Sequence, residues 1–533
     1  MKRLLLMLAA AGALWSAACS GNGIVNPPPP VGKYSNANLN GQYAFVTNGE
    51  SFTGGLSATP LSRTGSFTAD GMGNIKTGVE DVNAAGTTSL ALQITGGNYT
   101  VNADGRGTLT LQLGQNSINF GIVLTSTSDG LMIDETSTST QSSTGSGNFV
   151  KQNSGSFAIA SITGPYVFDF SGLDGGQGGT QGPESIVGEF TASGGPITTG
   201  VEDVNDNGAF TTAAAVSGNF AADGVNPSTL TGFGRGIAQL NGTQYVFYIV
   251  DSSRIRILST SGGAMLSGDA VAQGNVAPAS LSSTNFAFIV AGSSINGGIT
   301  RVGRFTTNGA TVSSVLVDTN NAGKFIQTNT VNTGASISFD AANPGRGTIT
   351  FTDPNFSNSP FRFVFYLSSP AQGVIQETTV TVSGTNSNAV DVADGTIAAQ
   401  TASPFSSSNI SGTYALNWSG LSLQNGGGFS VQDEEDLLSE VAISGLSLKG
   451  AGDIFQFQNG VPVFDLVTSG SITIGSSDGT SSDGKRNTMN VKLVKSNSTT
   501  VNFVVYFVNP QLAFFANNQN SNRIVAGVLQ AQQ

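Results

Sequence analysis

The hexapeptide Gly78-Val79-Glu80-Asp81-Val82-Asn83 recurs unchanged as Gly200-Val201-Glu202-Asp203-Val204-Asn205. Other landmarks return around it in a constant order: an aromatic residue opens a strand, a Gly-Arg-Gly or similar segment follows later, and a glutamine closes the stretch. The openings are Tyr43, Tyr166, Phe286 and Tyr414, and the closures are Gln152, Gln273, Gln400 and either Gln530 or Gln532. An ordered recurrence of this kind indicates tandem copies of one unit.

The landmarks divide the chain into four β units after an N-terminal leader. We assign 1–18 to a signal peptide, 19–38 to a tether, and 39–152, 159–273, 279–400 and 405–533 to the units. The repeat period of about 120 residues is much longer than that of solenoid repeats. The fourth unit has diverged most, with the acidic run Asp433-Glu434-Glu435-Asp436 near the expected place of the hexapeptide.

Alternating hydrophobicity within the first unit predicts β-strands. Leu90, Leu92 and Ile94 alternate with small or polar residues, and Asp-Gly pairs at 70–71, 104–105 and 129–130 are typical of tight turns. Eight consecutive antiparallel strands close most simply into an up-and-down barrel. We therefore predict an all-β chain of four tandem antiparallel units of about eight strands each, folded as up-and-down β-barrels, with β-sandwiches as the alternative.

The strand count, the meander and the opening Gly41-Gln42-Tyr43 resemble the calycin group of lipocalin-like and avidin-like barrels. Those families usually open with Gly-x-Trp, and Trp418 in the fourth unit lies nearest to that pattern. The resemblance implies barrels that are either filled by side chains or hold one small ligand.

The composition excludes several kinds of chemistry. The chain has no histidine and a single cysteine, which rules out histidine bases, histidine metal ligands, Ser-His-Asp and Cys-His catalysis, and an intrachain disulfide. Its formal net charge of −12 would repel phosphate backbones, so we expect no binding to nucleic acid. We expect no cofactor, no metal site of the usual zinc type, and a monomer.

The N-terminus has the pattern of an export signal. Lys2 and Arg3 precede a short apolar run, and Ser16-Ala17-Ala18-Cys19 resembles the bacterial lipobox, although Ser16 stands where leucine is usual. The resemblance implies cleavage before Cys19, lipidation of its thiol, and anchoring to a membrane, with Ser20 favouring the outer membrane. An ordinary cleaved signal peptide is the alternative. The proline run 27–30 predicts a stiff spacer.

Paired acidic residues are candidates for cation binding or acid–base chemistry. Neighbouring residues on a strand point to opposite faces, so Glu80 and Asp81, or Glu202 and Asp203, would not converge on one ion. We expect them at solvated strand ends. The run Asp433-Glu434-Glu435-Asp436 is the better candidate for cation binding, with a mobile acidic loop as the alternative.

Two further sets of residues recur at matching places. Arg106, Arg235 and Arg346 start strands beside glycines, and we consider both a site for an anion at each barrel mouth and a structural arginine that caps carbonyls. Tyr248, Tyr366 and Tyr506 lie on strands that are apolar on both faces, and such strands must bury both. We expect the face that carries these tyrosines to pack neighbouring units together.

These features favour a non-catalytic, membrane-anchored lipoprotein of the surface or periplasm, whose units serve binding, display or envelope structure. A protein, a glycan or a small apolar ligand would be its partner. A carrier that holds an apolar ligand inside one or more barrels is the second hypothesis. A carboxylate-based hydrolase is the third, because two acidic groups suffice for glycoside cleavage without histidine.

Overall fold

The structure is a computed structural model, and it describes the greater part of the chain after residue 32. The described residues are 33–53, 57–138, 141–176, 181–276, 284–294, 296–308, 311–327, 335–352, 360–379, 382–383, 386–387, 391–401, 405–423, 432–456, 462–475, 486–494, 498–520 and 523–533. The predicted signal peptide, Cys19 and most of the tether lie outside them. Within them, no helix is long and apolar enough to cross a bilayer.

Unit 1 is an antiparallel meander that closes on itself. Its strands are β1 (Asn40–Thr53), β2 (Ser57–Asp70), β3 (Asn74–Ala84), β4 (Thr87–Ile94), β5 (Gly96–Val101), β6 (Arg106–Leu113), β7 (Asn116–Leu124), β8 (Asp129–Asp134) and β9 (Gln141–Lys151). Pairing of β1 with β9 and of β2 with β3 completes an eight-stranded circle, and β4 branches from β3.

Unit 2 repeats this meander in a more open form. Its strands are β10 (Thr163–Leu173), β11 (Pro183–Ser193), β12 (Ile197–Asp206), β13 (Ala209–Ala215), β14 (Gly218–Ala222), β15 (Arg235–Leu240), β16 (Thr243–Asp251), β17 (Arg254–Ser259) and β18 (Met265–Ala272), with the helix α1 (Ser228–Phe233) before β15. The strand order runs from β13 to β14, and an isolated bridge joins Pro196, directly before β12, to Asn219 of β14.

Unit 3 closes in the same way as unit 1. Its strands are β19 (Asn285–Ser294), β20 (Gly297–Asn308), β21 (Thr311–Asn321), β22 (Lys324–Gln327), β23 (Ser336–Phe339), β24 (Arg346–Thr352), β25 (Pro360–Ser369), β26 (Gln372–Glu377), β27 (Val382–Ser383), β28 (Asn386–Ser387) and β29 (Val392–Ala399). The two short strands β27 and β28 pair only with each other, and β22 branches from β21.

Unit 4 is a closed barrel of eight strands. They are β30 (Gly412–Leu423), β31 (Gln432–Ser444), β32 (Ser447–Gln456), β33 (Val463–Thr473), β34 (Arg486–Val494), β35 (Ser498–Asn509), β36 (Leu512–Asn517) and β37 (Arg523–Ala531). Short 3-10 helices precede units 1 and 2, at Asn36–Asn38, Ser154–Ser156 and Ile159–Ser161. The predicted all-β architecture of tandem eight-stranded barrels is confirmed.

Aromatic and aliphatic side chains fill the barrel interiors. In unit 1, the ring of Phe45 contacts those of Phe67 and Phe120, with centroid distances of 6.0 Å to Phe67 and 6.1 Å to Phe120. Units 2, 3 and 4 have comparable clusters of buried residues. Burial of this apolar surface is the main favourable contribution to the stability of each barrel.

The four units form a closed ring. The first two strands of each unit pack against strands near the end of the next unit: β1 and β2 on β16 and β17, β10 and β11 on β25 and β26, and β19 and β20 on β35 and β36. The fourth contact uses the same surfaces, because β30 and β31 of unit 4 pack on β7, β8 and β9 of unit 1. Repeated head-to-tail contacts of this kind close into a ring when the rotation per unit is right.

The glutamine that ends each unit reaches the backbone of the next unit at one equivalent position. Each side-chain amide donates a hydrogen bond to a carbonyl on the tyrosine-bearing strand or its counterpart. The pairs are Gln152 with Ile249 at 2.7 Å, Gln273 with Leu367 at 3.0 Å, Gln400 with Phe507 at 2.7 Å, and Gln532 with Leu124 at 2.9 Å. Gln532 rather than Gln530 therefore occupies the repeated position.

The residue after each glutamine adds a backbone hydrogen bond to the following carbonyl of the same neighbouring strand. The four N–H donors and their acceptors are Asn153 with Val250, Gly274 with Ser368, Thr401 with Val508, and Gln533 with Thr125. At three joints the chain runs on from one unit to the next. At the fourth, Gln532 and Gln533 make the same contacts without that covalent link, and so close the ring.

We predict that removing this contact opens the joint between units 4 and 1. The Gln532→Ala variant loses the hydrogen bonds that the Gln532 side-chain amide donates to unit 1, and deletion of Gln532 and Gln533 also removes the backbone hydrogen bond. The barrel cores are unchanged in both variants. Small-angle X-ray scattering should then show a larger radius of gyration with unchanged circular dichroism. Gln93→Ala, which removes an exposed glutamine of unit 1, is the control. An unchanged radius in the deletion variant would contradict the role given to these two residues.

Candidate functional site

The second carboxylate of the hexapeptide lies at a joint between units. Asp81 stands where the pairing of β3 with β4 is interrupted by a bulge between Glu80 and Val82. Strand alternation places the carboxylate on the face opposite Glu80, away from the interior of its own barrel, and one oxygen accepts a hydrogen bond from the backbone N–H of Ala91 at 2.7 Å. The carboxylate is fully buried, so its remaining contacts must come from the neighbouring unit.

Unit 2 supplies these contacts through an arginine and a tyrosine on paired strands. Arg235 binds Asp81 with two hydrogen bonds, from Nε at 2.7 Å and from Nη2 at 2.8 Å. The hydroxyl of Tyr248 donates to the same carboxylate at 2.5 Å. A second carboxylate, Asp223 of unit 2, binds the Nη1 atom of Arg235. The planar guanidinium thus spans two carboxylates in the geometry that arginine favours.

The same three-residue contact recurs at the next two joints. Arg346 binds Asp203 with two hydrogen bonds of 2.8 Å, and Arg486 binds Asp318 at 2.9 and 2.7 Å. The tyrosines that complete the two sets are Tyr366 at 2.5 Å and Tyr506 at 2.6 Å. We call each set of aspartate, arginine and tyrosine a joint triad.

The asparagine of the hexapeptide supports each triad. Two residues after the aspartate, its amide donates to backbone carbonyls of the next unit. Asn83 binds Ser259 and Ala264, Asn205 binds Glu377 and Asp391, and Asn320 binds Asn517 and Arg523. The aspartate and the asparagine of the Asp-x-Asn motif therefore both bind the next unit, and this explains why the hexapeptide recurs in the sequence.

The electrostatics of a joint triad follow from burial. Desolvation raises the pKa of Tyr248, and the negative charge of Asp81 raises it further, so the phenol stays protonated and donates. The pKa of Arg235 is also raised, because its hydrogen bonds and attraction to Asp81 outweigh the cost of burial. Two desolvated charges of opposite sign then lie in direct contact, a geometry in which loss of either partner is costly.

These positions correct two of the expectations drawn from the sequence. The prediction that Glu80 and Asp81 are solvated is wrong, because both are fully buried between strands. Arg235 and Arg346 bind carboxylates of the preceding unit, rather than a free anion or backbone carbonyls. The sequence could not show these partners, since residues 154 and 143 positions apart meet only after the units have packed.

The tyrosines lie where two units meet. Tyr366 belongs to an apolar cluster with Val167, Val187 and Val201 of unit 2. Tyr248 packs with Ala44 and Val79 of unit 1. The side chains of Tyr248, Tyr366 and Tyr506 are all buried. Arg486 was missed in the sequence, because no glycines flank it. It could have been found by its place at the start of the strand that precedes the tyrosine-bearing strand.

The joint between units 4 and 1 differs in chemistry. Arg106 has Val123 opposite it on the paired strand, where the other units have tyrosine, and it binds Asp104 of its own unit at 3.0 Å. By strand register, Asp453 of unit 4 occupies the place of Asp81, and the place of Asn83 falls to Phe455. This joint therefore lacks the tyrosine and the asparagine found at the other three.

The acidic run of unit 4 lies on β31, one strand earlier than the hexapeptide position. Its described side chains are buried, so the mobile loop expected as the alternative is wrong for them. Asp436 accepts a hydrogen bond from Thr144 of unit 1 at 2.7 Å, and Glu434 accepts one from Ser419 at 3.1 Å. Glu435 faces the barrel interior, where it binds Arg523 and Trp418.

The acidic side chains of this run do not converge on one site. Glu435 points to the opposite face from its two neighbours, and the side chain of Asp433 is outside the described part of the structure. Within the described residues, no group of three or more carboxylate or cysteine side chains is placed to hold a metal ion. Cation binding at Asp433, Glu434, Glu435 and Asp436 stays a prediction.

Buried carboxyl groups of units 2 and 3 also face each other. Asp169 and Asp394 are almost fully buried, and their carboxyl groups lie next to each other. Burial raises the pKa of Asp394 to about 7, and burial together with the charge of Asp394 raises the pKa of Asp169. Burial likewise raises the pKa of Asp436 to about 7. The joints therefore contain acids that favour the protonated form.

No protein-family model matches the chain, and no curated protein matches it either. Among solved structures, a transferrin binding protein B double mutant from Haemophilus parasuis Hp5 gives a TM-score of 0.21 at 10% identity, covering 96% of this chain and 98% of that one. The isotype 1 protein from serogroup B Neisseria meningitidis gives 0.16 at 12% identity, covering 76% and 85%. TM-scores this low support no conclusion about the present chain.

We predict that Asp81→Ala destabilises the chain by about 3–5 kcal/mol, because it leaves the buried guanidinium of Arg235 without one of its charge partners. Chemical unfolding followed by circular dichroism measures the change in the free energy of unfolding. Asp70→Ala is the matched control, since Asp70 is in the same unit and pairs with the exposed Lys76. Equal effects of the two substitutions would refute a special role for the joint triad.

We also predict that the chain is less stable at pH 8 than at pH 5. Carboxyls such as Asp394 titrate near 4 when unfolded and at about 7 when folded. Between these values the folded chain holds more protons, so the free energy of unfolding falls as the pH rises through about 7. Urea midpoints from pH 5 to pH 8 test this.

The Asp394→Asn variant should weaken this pH dependence, because its neutral amide cannot ionise. Asp70→Asn is the control: hydrogen bonds from Lys76 and Asn74 lower the pKa of Asp70, so this group does not titrate in the same range. Midpoints that rise with pH in the unmodified chain would show that the buried carboxyls are not protonated in the folded state.

Proposed function

We propose that the protein is a membrane-anchored, non-catalytic binding lipoprotein located outside the cytoplasm, in which four barrels form one rigid ring. The observation that carries this proposal is the use of the repeated polar residues. The aspartates, arginines, tyrosines, asparagines and glutamines that recur in the units are engaged in joining one unit to the next. They hold the ring together and leave no shared catalytic group among the repeated positions.

The packed interiors favour this function over a carrier inside the barrels. Large side chains such as Tyr43, Phe67 and Phe149 contact one another at the centre of unit 1, with centroid distances of 5.6 to 6.1 Å. Similar contacts between aromatic rings occur in the other units, for example between Trp418 and Phe503 at 5.2 Å. A barrel filled in this way has its interior occupied by its own side chains.

The buried acids do not favour a hydrolase. Glycoside cleavage needs two carboxyl groups on either side of a space that admits the sugar. Asp169 and Asp394 are instead enclosed between units 2 and 3, and Glu434 and Asp436 between units 4 and 1. A rigid ring on a tether is better suited to present its outer surfaces and joints to a protein or glycan partner.

The anchoring part of the proposal is tested by Cys19→Ala. We predict that the unmodified protein sediments with the membrane fraction of the producing cells and that the variant is released in soluble form, because acyl chains on Cys19 supply the membrane affinity. Immunoblotting of fractionated cells measures this, and a Ser20→Ala variant, which retains the thiol, is the control for membrane association. Retention of Cys19→Ala in the membrane fraction would disprove lipid anchoring at this residue.

A further inference from the structure

Tyr34, which precedes unit 1, binds a residue at the end of unit 4. Its hydroxyl donates a hydrogen bond of 2.9 Å to a main-chain oxygen of Gln533, which is 499 positions away in the sequence. Its backbone N–H donates to the carbonyl of Ala103, in the turn between β5 and β6, at 3.1 Å. Burial raises the pKa of Tyr34 to about 12, so the hydroxyl stays protonated and can donate at physiological pH.

Residues 34–38, which we call the latch, are held on unit 1. The side-chain oxygen of Asn36 accepts a hydrogen bond from the backbone N–H of Val101 at 2.7 Å, and its carbonyl accepts one from the hydroxyl of Tyr99 at 3.1 Å. Tyr34 itself belongs to the cluster of buried residues inside unit 1. The latch is therefore part of unit 1, and the hydroxyl of Tyr34 extends from it to unit 4.

The latch and the C-terminal contacts meet at one turn of unit 1. Gly105 lies in this turn with a φ of +87°, and a Cβ atom there would be 3.0 Å from Cδ2 of Tyr34 and 2.5 Å from Nε2 of Gln532. The Gln532 amide also donates to the carbonyl of Asp104 at 2.9 Å. A side chain at position 105 would therefore push both the tyrosine and the glutamine away from the turn.

The same pattern of buried residues precedes three of the units. In each, an aromatic residue is followed after five positions by Leu or Ile, and after nine positions by the tyrosine of the first strand. The three sets are Tyr34, Leu39 and Tyr43 for unit 1, Phe157, Ile162 and Tyr166 for unit 2, and Phe405, Ile410 and Tyr414 for unit 4. Phe157 lies on its turn as Tyr34 does, because a Cβ atom on Gly234 would be 2.8 Å from Cε1 of Phe157. Tyr34 thus occupies the position of a phenylalanine in the repeat.

The joints differ in how the chain connects the closing glutamine to this aromatic residue. Phe157 follows Gln152 by five positions, and Phe405 follows Gln400 by five positions. No such short connection joins Gln532 to Tyr34, which precedes it by almost the whole chain. A phenylalanine at position 34 would fill the same space, but it could not donate a hydrogen bond to unit 4. The hydroxyl is therefore present at the joint that lacks the chain connection.

We propose that the latch secures the joint between units 4 and 1, and that its release lets the ring open there while the other joints stay closed. At the other joints the peptide chain limits how far two units can separate. At this joint the hydrogen bond from Tyr34 to Gln533 adds to the hydrogen bonds that Gln532 and Gln533 donate to unit 1. The inference concerns closure of the ring and does not rest on the proposed anchoring or on a partner.

An open joint would present a surface that the closed ring hides. Val123, Leu131 and Ile133 of unit 1 share one apolar cluster with Leu438 of unit 4. Exposure of these side chains to water opposes opening, because burial of apolar surface stabilises the closed joint. The effect of the latch is therefore best measured in urea, at concentrations below those that unfold the barrels.

Fluorescence energy transfer across single joints tests the proposal. The chain has no other cysteine once Cys19 is replaced, so introduced pairs can carry a donor and an acceptor dye. The pair Gln115→Cys with Lys492→Cys spans the joint between units 4 and 1, and Thr212→Cys with Lys324→Cys spans that between units 2 and 3. All four positions are exposed.

In Tyr34→Phe, we expect the ratio of open to closed molecules at the joint between units 4 and 1 to rise about fivefold at a given urea concentration, as for loss of one hydrogen bond. The joint between units 2 and 3 should not change. In a chain that lacks Gln533, Tyr34→Phe should have no further effect, because the acceptor is already absent. Tyr166→Phe is the matched control, since its hydroxyl binds Ser252 within unit 2 at 2.8 Å.

Three results would overturn the proposal. The ratio in Tyr34→Phe could equal that of the unmodified chain, both joints could open to the same extent, or Tyr34→Phe could keep its full effect without Gln533. Phenylalanine is the residue that units 2 and 4 have at this position, so the substitution is expected to leave the core of unit 1 intact. Circular dichroism of each variant checks that the barrels remain folded.

Discussion

The requirement to bury both faces of one strand governs this structure. In each of units 2, 3 and 4, the strand that carries Tyr248, Tyr366 or Tyr506 is apolar on both sides. One face fills the barrel, and the other would be exposed to water if the unit stood alone. A neighbouring unit removes that cost by covering the outer face. Because every unit both offers and needs such a surface, four units satisfy one another only when the ring closes.

The polar contacts at the joints determine how the units pack rather than whether they do. A bidentate pair such as Arg346 with Asp203 fixes both the distance and the orientation of two strands, whereas apolar surfaces would tolerate sliding. The desolvation of both charges offsets much of their attraction, so their net contribution to stability is modest. The hydrogen bonds from the glutamine side chains to backbone carbonyls of the next unit constrain the relative orientation of the units in the same way. The repeated residues thus act mainly as specificity elements for one register.

The sequence was sufficient to predict the units and their strands, because strand alternation and turns are local and the repeats show where each unit starts. The apolar double-faced strands also indicated that the units touch. The partners at each joint could not be predicted. Asp81 and Arg235 belong to different units, and strand alternation shows that Asp81 faces away from the barrel interior without showing what lies opposite it. For the same reason, acidic side chains that look solvated in the sequence are buried in the ring.

Comparison of the four joints distinguishes residues that closure of the ring requires from residues that it does not require. Where Gln152, Gln273, Gln400 and Gln532 make the same contact, any change would weaken closure, and the residue is retained. Where the residues differ between units, closure of the ring does not depend on their identity. Lys151 is an example, because the equivalent residue is alanine in the other three units. The joint between units 4 and 1, with Val123 in the place of tyrosine, closes through the C-terminal residues and buried acids instead. By strand register this joint has neither the tyrosine nor the asparagine of the other three, and it has no covalent continuity, so strain on the ring would separate the units there before it separated them at the other three joints.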